Sequence, residues 1–345
     1  MFIIYITYIT NNTYSPMCVI FYMNINGQLI LAKNRDLPYN PHIDIVHEII
    51  NGTEVVYMRD KNNGWIEGIN EDGTCMVNSS LLENFQYYPE NNIEKNKIYS
   101  TLVKKHGNKQ ELFYEILNES DNKYILEGHT LIAHDNHMYH LENSSLNKHV
   151  LHFLSQKDKY RVFSNHGIHL PNEGVTNGIK GVSSFLRREL TKMEVSDFLK
   201  NKHKKTIKYN DNKLYHALSC LLNKSYANLE NKFHPYRKKY NVTSTTGQLL
   251  LNATKKEFVY LADNKCIKNV KYINKLHPQY QAKIRVIIKE TKKNMKPIKK
   301  INKTYLQKIH ERFNYVDKSI TNKIRSNNHI KNKNRTMKKT RKNNS

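Results

Sequence analysis

A cysteine at the head of one apolar run, and an Asn-Arg-Asp triplet at the end of the next, carry the clearest chemical potential in this sequence. In MCVIFYMNINGQLILAKNRD the runs CVIFYM and LILAK flank a turn signal at Asn24 to Gly27. That pattern reads as a β-hairpin, which returns Arg35 and Asp36 to the side of Cys18. A thiolate is the nucleophilic form of cysteine, and neighbouring charges set how much of it forms. Taken alone, Cys18 would be a core residue, because free cysteine is among the most buried types. Arg35 and Asp36 alone would be a surface pair of little energetic consequence.

The elements around this hairpin follow from periodicity and punctuation. Apolar runs at Ile45 to Ile49, Glu54 to Met58, Trp65 to Ile69 and Thr74 to Asn78 are separated by Asn-Gly and Glu-Asp-Gly signals, which predicts an antiparallel meander. Helices are expected at about Glu94 to Lys105 and Lys109 to Glu119, then strands at His129 to His134, Met138 to Glu142 and Arg161 to Ser164. Val182, Phe185, Leu186, Leu190 and Met193 recur at helical spacing, so Gly181 to Met193 is amphipathic. A further helix over Asp211 to Leu222 and a hairpin of Gln248 to Leu251 with Glu257 to Leu261 complete the pattern. Sheet connections too short for crossover helices argue for a layered α+β domain over a doubly wound parallel sheet. The expected division is a leader at 1–17, either upstream or removable, a domain at 18–275, and a basic helical or disordered tail at 276–345.

Several blocks, taken in order, resemble the cysteine-type N-terminal nucleophile (Ntn) hydrolases. These are the family of penicillin V acylase, bile salt hydrolase, acid ceramidase and acyl-coenzyme A:6-aminopenicillanic acid acyltransferase. The chain is also similar to the related proteins that begin Met-Cys and are named for an Asn-Arg-Asp (NRDE) motif. Arg35 and Asp36 follow Cys18 by 17 and 18 residues, as an Arg and an Asp follow the nucleophile there. Gly68 to Gly73 leading into Val77-Asn78-Ser79-Ser80 looks like the segment that ends in an oxyanion Asn. Glu127 to Ile132, continuing to Glu142, is similar to the strand pair after the central helices. Val162-Phe163-Ser164-Asn165-His166 looks like the Thr-Asn-His block of the acyltransferase branch, followed there by Ser-x-x-Arg, here Ser184 to Arg187. The resemblance runs from about Met17 to Asp263. It implies a four-layer αββα sandwich, no cofactor, and catalytic roles for Cys18, Arg35, Asp36, Asn78, Asn165 and Arg187. Arg188, adjacent to Arg187, competes with it for that role.

Elementary chemistry agrees with the implied roles. A thiol of pKa about 8.5 needs a base, and the α-amine of an N-terminal cysteine, with pKa about 8, is one within reach. Attack on an amide builds charge on the carbonyl oxygen, for which the side-chain amide of Asn78 or Asn165 is a neutral N–H donor. Arg35 would hold the thiolate or substrate carbonyl by charge, and Asp36 would accept from the α-ammonium or from Arg35. The substrate implied is a small N-acyl amide or acyl donor, and the aromatic residues Tyr22, Phe85, Tyr87 and Tyr88 are available to line its pocket. Freeing the amine requires either a start at Met17 with methionine removal or self-cleavage before Cys18. Met17 replaces the Gly usual before the cysteine in the acyltransferase branch, which favours the start at Met17.

Composition sets the remaining limits. Hydrophobic residues make up 38% and the net charge is +26, from 56 Lys plus Arg against 30 Asp plus Glu. No run nears the ~18 uncharged apolar residues of a spanning helix, and four cysteines are too sparse for a disulfide scaffold. A cytoplasmic protein is expected. Lys, Asn, Ile and Tyr are abundant throughout and share A/T-rich codons, so charge carries meaning only where it clusters. It clusters at Thr291 to Ser345, with 18 Lys plus Arg against Glu311 and Asp317. That stretch suits a polyanion contact, and an inactive hydrolase fold that binds nucleic acid through it is the alternative to an enzyme. His129, His134, His137 and His140 are metal-ligand types. Simple alternation sets 134 and 140 against 129 and 137, so they read as strand-surface histidines and no metal is expected.

Overall fold

Two consecutive residues in the left-handed region, Asn26 (φ 53°) and Gly27 (φ 73°), reverse the chain between β1 (Val19–Ile25) and β2 (Gln28–Leu37). This is the turn chemistry that the Asn-Gly pair favours in a two-residue hairpin. The computed structural model describes residues 18–37, 39–62, 64–81, 99–120, 128–135, 137–143, 149–154, 158–170, 178–204, 211–223 and 244–291. The expected leader, the cluster Phe85, Tyr87 and Tyr88, and the basic tail from residue 292 lie outside them.

The meander continues through β3 (Ile43–Ile50), β4 (Thr53–Asp60), β5 (Ile66–Asn70) and β6 (Cys75–Ser79). After α1 (Ser100–Val103) and α2 (Lys109–Ser120) come β7 (Gly128–His134), β8 (His137–Asn143), β9 (His149–Leu154) and β10 (Tyr160–Phe163). Helices α3 (Gly178–Lys204) and α4 (Asp211–Leu222) precede β11 (Ser244–Asn252), β12 (Glu257–Ala262), β13 (Val270–Asn274) and β14 (Arg285–Glu290). The strands form two sheets, ordered β10-β1-β2-β11-β12-β14 and β13-β3-β4-β5-β6-β7-β8-β9.

Alternation within the strands builds three cores. Ile20, Tyr22, Leu29 and Leu31 of the six-stranded sheet face Ile45, Val56, Val77 and Leu131 of the eight-stranded sheet. Val19, Phe21, Ile30 and Ala32 turn the other way, against Val195 and Leu199 of α3 and Leu214 and Leu218 of α4. On the far face of the larger sheet, Val55, Met76 and Ile132 pack on Leu102 of α1 and Leu112 and Ile116 of α2. The result is an α+β molecule in which helices cover both outer faces of a sheet pair. Tyr22 is 1% exposed within the inter-sheet core, so it is a packing residue and not a pocket wall. Gly128, with φ 112°, lets β7 begin against β6, because a Cβ there would stand 2.2 Å from Ser79 O.

Four elements depart from the expected pattern. β9 and β13 are partly exposed strands, without the apolar alternation that marks the others. The ordered chain runs beyond Lys275: β14 pairs in parallel with β12, and β13 pairs in parallel with β3. The 276–284 connection is itself held, since Lys283 N and Ile284 N both donate to the Glu54 carboxylate at 2.9 Å. α3 is longer than expected at both ends. Among the described residues no helix is long and apolar enough to cross a membrane.

Candidate active site

Cys18 stands immediately before β1, 3% exposed, with its backbone held from three directions. Its N–H donates to Asn165 Oδ1 at 3.0 Å. Its carbonyl oxygen accepts from Arg187 Nη1 at 3.2 Å, Ser164 Oγ at 3.3 Å and Ser79 Oγ at 3.5 Å. These donors come from α3, the segment after β10, and the end of β6, so both sheets and a helix converge on one residue.

Asn165 is the hub of this arrangement. Its Oδ1 accepts from both Cys18 N and Arg187 Nη2, the latter at 2.9 Å. Its Nδ2 donates to Ser80 O at 2.7 Å and Ser79 Oγ at 3.1 Å, and its backbone N–H to Ser184 Oγ at 2.8 Å. The side-chain amide thus holds Cys18 N through its oxygen, while its Nδ2 is bonded to the end of the β6 segment. Arg187 has no solvent exposure, and its Nη1 lies 3.6 Å from Asp36 Oδ2. Arg188 instead donates to Val162 O, so Arg187 is the arginine at Cys18.

The Asn-Arg-Asp triplet divides between two faces of β2. Asp36 points toward α3 and β11, accepting from Thr245 Oγ1 at 2.5 Å and pairing with Arg187, not with Arg35. Arg35 points between the sheets, where Asp60 Oδ2 holds it at 2.6 Å and Met58 Sδ lies 3.2 Å away. Asn34 caps the end of α4, donating to Leu222 O at 2.8 Å. Lys33, two residues before Arg35 and on its face, bonds Glu67 Oε1 at 2.5 Å. Burial pushes the Cys18 thiol above its ordinary pKa. Lys33 opposes that shift, as does the Asp36 backbone N–H donating to sulfur, while the Asp36 and Glu67 carboxylates add to it. The electrostatic neighbours of the thiol therefore include Lys33 and Glu67, which the motif did not single out. Strand alternation did carry the signal, since Leu29, Leu31, Lys33 and Arg35 share a face.

Asn78 is not brought to Cys18. Its side chain lies on the helix-covered face of β6 with Met76, and its Nδ2 donates to Thr130 Oγ1 at 2.8 Å. Its neighbour Ser79, on the opposite face, is the residue of that segment that reaches Cys18. Ser184, from the Ser-x-x-Arg block, accepts from Asn165 N and lies 2.9 Å from His166 Nδ1, which ties α3 to the Asn165 segment.

The histidines also differ from the alternation argument. The β7–β8 register pairs His134 with His137, so it places His129 opposite Glu142 and His140 opposite Leu131, all on one face. His129 and His140 are fully buried between the sheets and are not surface residues. Counting parity along the sequence fails here because the pairing register between strands, not the count along the chain, decides which residues share a face.

Among solved structures the chain is similar to penicillin V acylase from Agrobacterium tumefaciens, with 11% sequence identity, a TM-score of 0.43, and coverage of 83% of this chain and 99% of that one. No curated protein matches it in sequence. The model of one family, Transport and Golgi organisation 2, matches residues 17–275, and the chain belongs to that family.

Proposed function

We propose that the protein is an Ntn-type cysteine amidohydrolase or acyltransferase, in which Cys18 becomes the N-terminal residue and forms a thioester with the acyl group of a linear amide. The observation that carries this reading is the pair of contacts on Asn165 Oδ1, from Cys18 N at 3.0 Å and Arg187 Nη2 at 2.9 Å. An acceptor oxygen fixed by a buried arginine is the partner an α-amine needs: it orients one N–H and leaves the nitrogen lone pair for the thiol proton. The sheet pair with helices outside, and the family match beginning at residue 17, also support it.

In this reading the thiol proton passes to the α-amine while sulfur attacks the amide carbonyl carbon. Collapse of the tetrahedral intermediate breaks the C–N bond, and the ammonium returns its proton to the leaving amine. Water then cleaves the thioester to the acid, or a second amine takes the acyl group. Arg187 holds Asn165 and the Cys18 carbonyl, and Asp36 balances the charge of Arg187. Lys33, held by Glu67, acts on the sulfur by charge, and Arg35, held by Asp60, lies on the same face of β2. No cofactor enters this scheme.

The test joins an intact mass with an assay on N-acyl amino acids and lactams. Protein from the native source is expected to begin at Cys18, with Cys18→Ala inactive. Cys18→Ser should retain at most a trace, because a hydroxyl ionises far less readily than a thiol. Active protein that retains Met1, or full turnover in Cys18→Ala, would remove the nucleophile assignment.

A further inference from the structure

His129, His140 and Glu142 form a buried donor set beside the candidate active site, with one ligand atom of each within 4.8 Å of the others. His129 Nε2 lies 2.8 Å from His166 O. A carbonyl can only accept, so Nε2 carries the proton and Nδ1 presents its lone pair. That lone pair faces His140 Nε2 at 3.0 Å. Among the described residues His140 has no other hydrogen bond, since its Nδ1 is buried without a partner. Two imidazole nitrogens bound to zinc at about 2.0 to 2.1 Å in a tetrahedron stand roughly 3.3 to 3.4 Å apart, close to the separation found.

Glu142 supplies the second, independent indication. It is fully buried, and among the described residues its one ion-pair neighbour is His129, with Oε2 3.9 Å from Nδ1. Backbone N–H groups of Ile168, His169 and Leu170 donate to its two oxygens, each at 2.9 Å, which fixes the carboxylate without balancing its charge. A buried carboxylate whose one ion-pair neighbour among the described residues is an imidazole, with the Arg188 guanidinium acting on it only from beyond contact, stands beside two convergent imidazoles, an environment that a divalent cation satisfies. A hydrogen bond from a ligand histidine to a backbone carbonyl is the usual means of orienting such a ligand. The partly exposed rings of His152 and His169, with centroids 3.7 Å apart, lead outward from His140.

We propose that His129 Nδ1, His140 Nε2 and Glu142 Oε2 bind a divalent cation of the zinc class. The cation replaces the His129 to His140 hydrogen bond, and the displaced His140 proton moves to its own Nδ1, so the ring binds as a neutral imidazole. It fastens β7 and β8 to the 164–170 segment, which carries Asn165, and so steadies the scaffold that holds Cys18.

The experiment uses the full chain, stripped with a chelator and titrated with cobalt(II) and zinc(II). One equivalent of cobalt with the visible absorption of a tetrahedral site is expected, and His140→Gln should weaken zinc binding by about 100-fold or more. His134→Gln, a buried histidine on the same strand pair but outside the set, should bind as the wild type does. X-ray absorption on the wild-type zinc protein should show two imidazoles, and this reading holds even if His140→Gln fails to fold. Equal affinity in wild type and His140→Gln, or thiolate sulfur in the metal's first coordination sphere, would overturn the assignment.

Discussion

Arg187 spans Cys18 O, Asn165 Oδ1 and the Asp36 carboxylate without touching solvent. Removing one partner of a buried pair leaves the other charge uncompensated, so Arg187→Gln is expected to cost about 3 to 5 kcal/mol of stability. Arg188→Gln, made at the neighbouring position, should cost markedly less; urea unfolding of the two variants separates them. The thiol gives a pH signature. With its pKa raised by burial, Cys18 should alkylate with iodoacetamide more slowly than a free thiol at pH 8, and catch up only as pH climbs beyond about 8.5. The folded state favours the protonated thiol, so its contribution to stability is present below the unfolded pKa and is lost as pH rises past it. A Cys220→Ser background removes the partly exposed thiol, and mass spectrometry locates the label. Cys18 labelling as fast as the urea-unfolded chain would contradict the buried thiol. The division between Asn78 and Ser79 was out of reach of the sequence for a physical reason. A one-residue change of register exchanges the two faces of a strand, and only pairing across β6 and β7 fixes which residue turns inward.

At the scale of elements, β14 makes the sharpest test. It runs parallel to β12 over six residue pairs, and Ile284 just before it is 3% exposed. A chain ending after Thr291 is expected to melt as the full chain does. One ending after Lys275 should lose roughly 3 to 6 kcal/mol from the apolar surface of Ile284, Val286, Ile287 and Ile288. It should also aggregate through the bared edge of β12. Thermal melts with light scattering decide between these outcomes, and indistinguishable melts would demote β14 to an ornament of the edge. Most antiparallel elements, though not the partly exposed β9, were legible in the sequence because Asn-Gly turns and two-residue alternation are local signals. The hairpin of β1 and β2, and the helix Asp211–Leu222, were expected from such signals. The parallel strands were not legible: β13 pairs with β3 more than two hundred residues away, and nothing local records that partner. Asn165 and Arg187 were found through motif order, whereas Lys33 and Glu67 belong to no motif and meet only when the sheets pack.

For the molecule as a whole, the excess charge is concentrated beyond β14, where Thr291 to Ser345 holds 18 Lys plus Arg against Glu311 and Asp317. This segment is expected to bind nucleic acid or anionic surfaces without sequence preference, with affinity falling steeply as salt rises through counterion release. Deleting residues 292–345 should abolish that binding and leave turnover unchanged. Retention measured on an anionic column or by titration with a DNA duplex gives the answer, and binding that survives the deletion or ignores salt would count against the tail. A different consequence follows from where β13 and β14 fall. One segment of the chain, residues 270–290, supplies the parallel edge strand of both sheets. Synthesis proceeds from the N-terminus, so a nascent chain holding every other described strand still has two unsealed flanks, at β3 and at β12. The sandwich is finished late, by a single clasp that engages both halves together, and until the ribosome releases that clasp the nascent protein has most need of a chaperone.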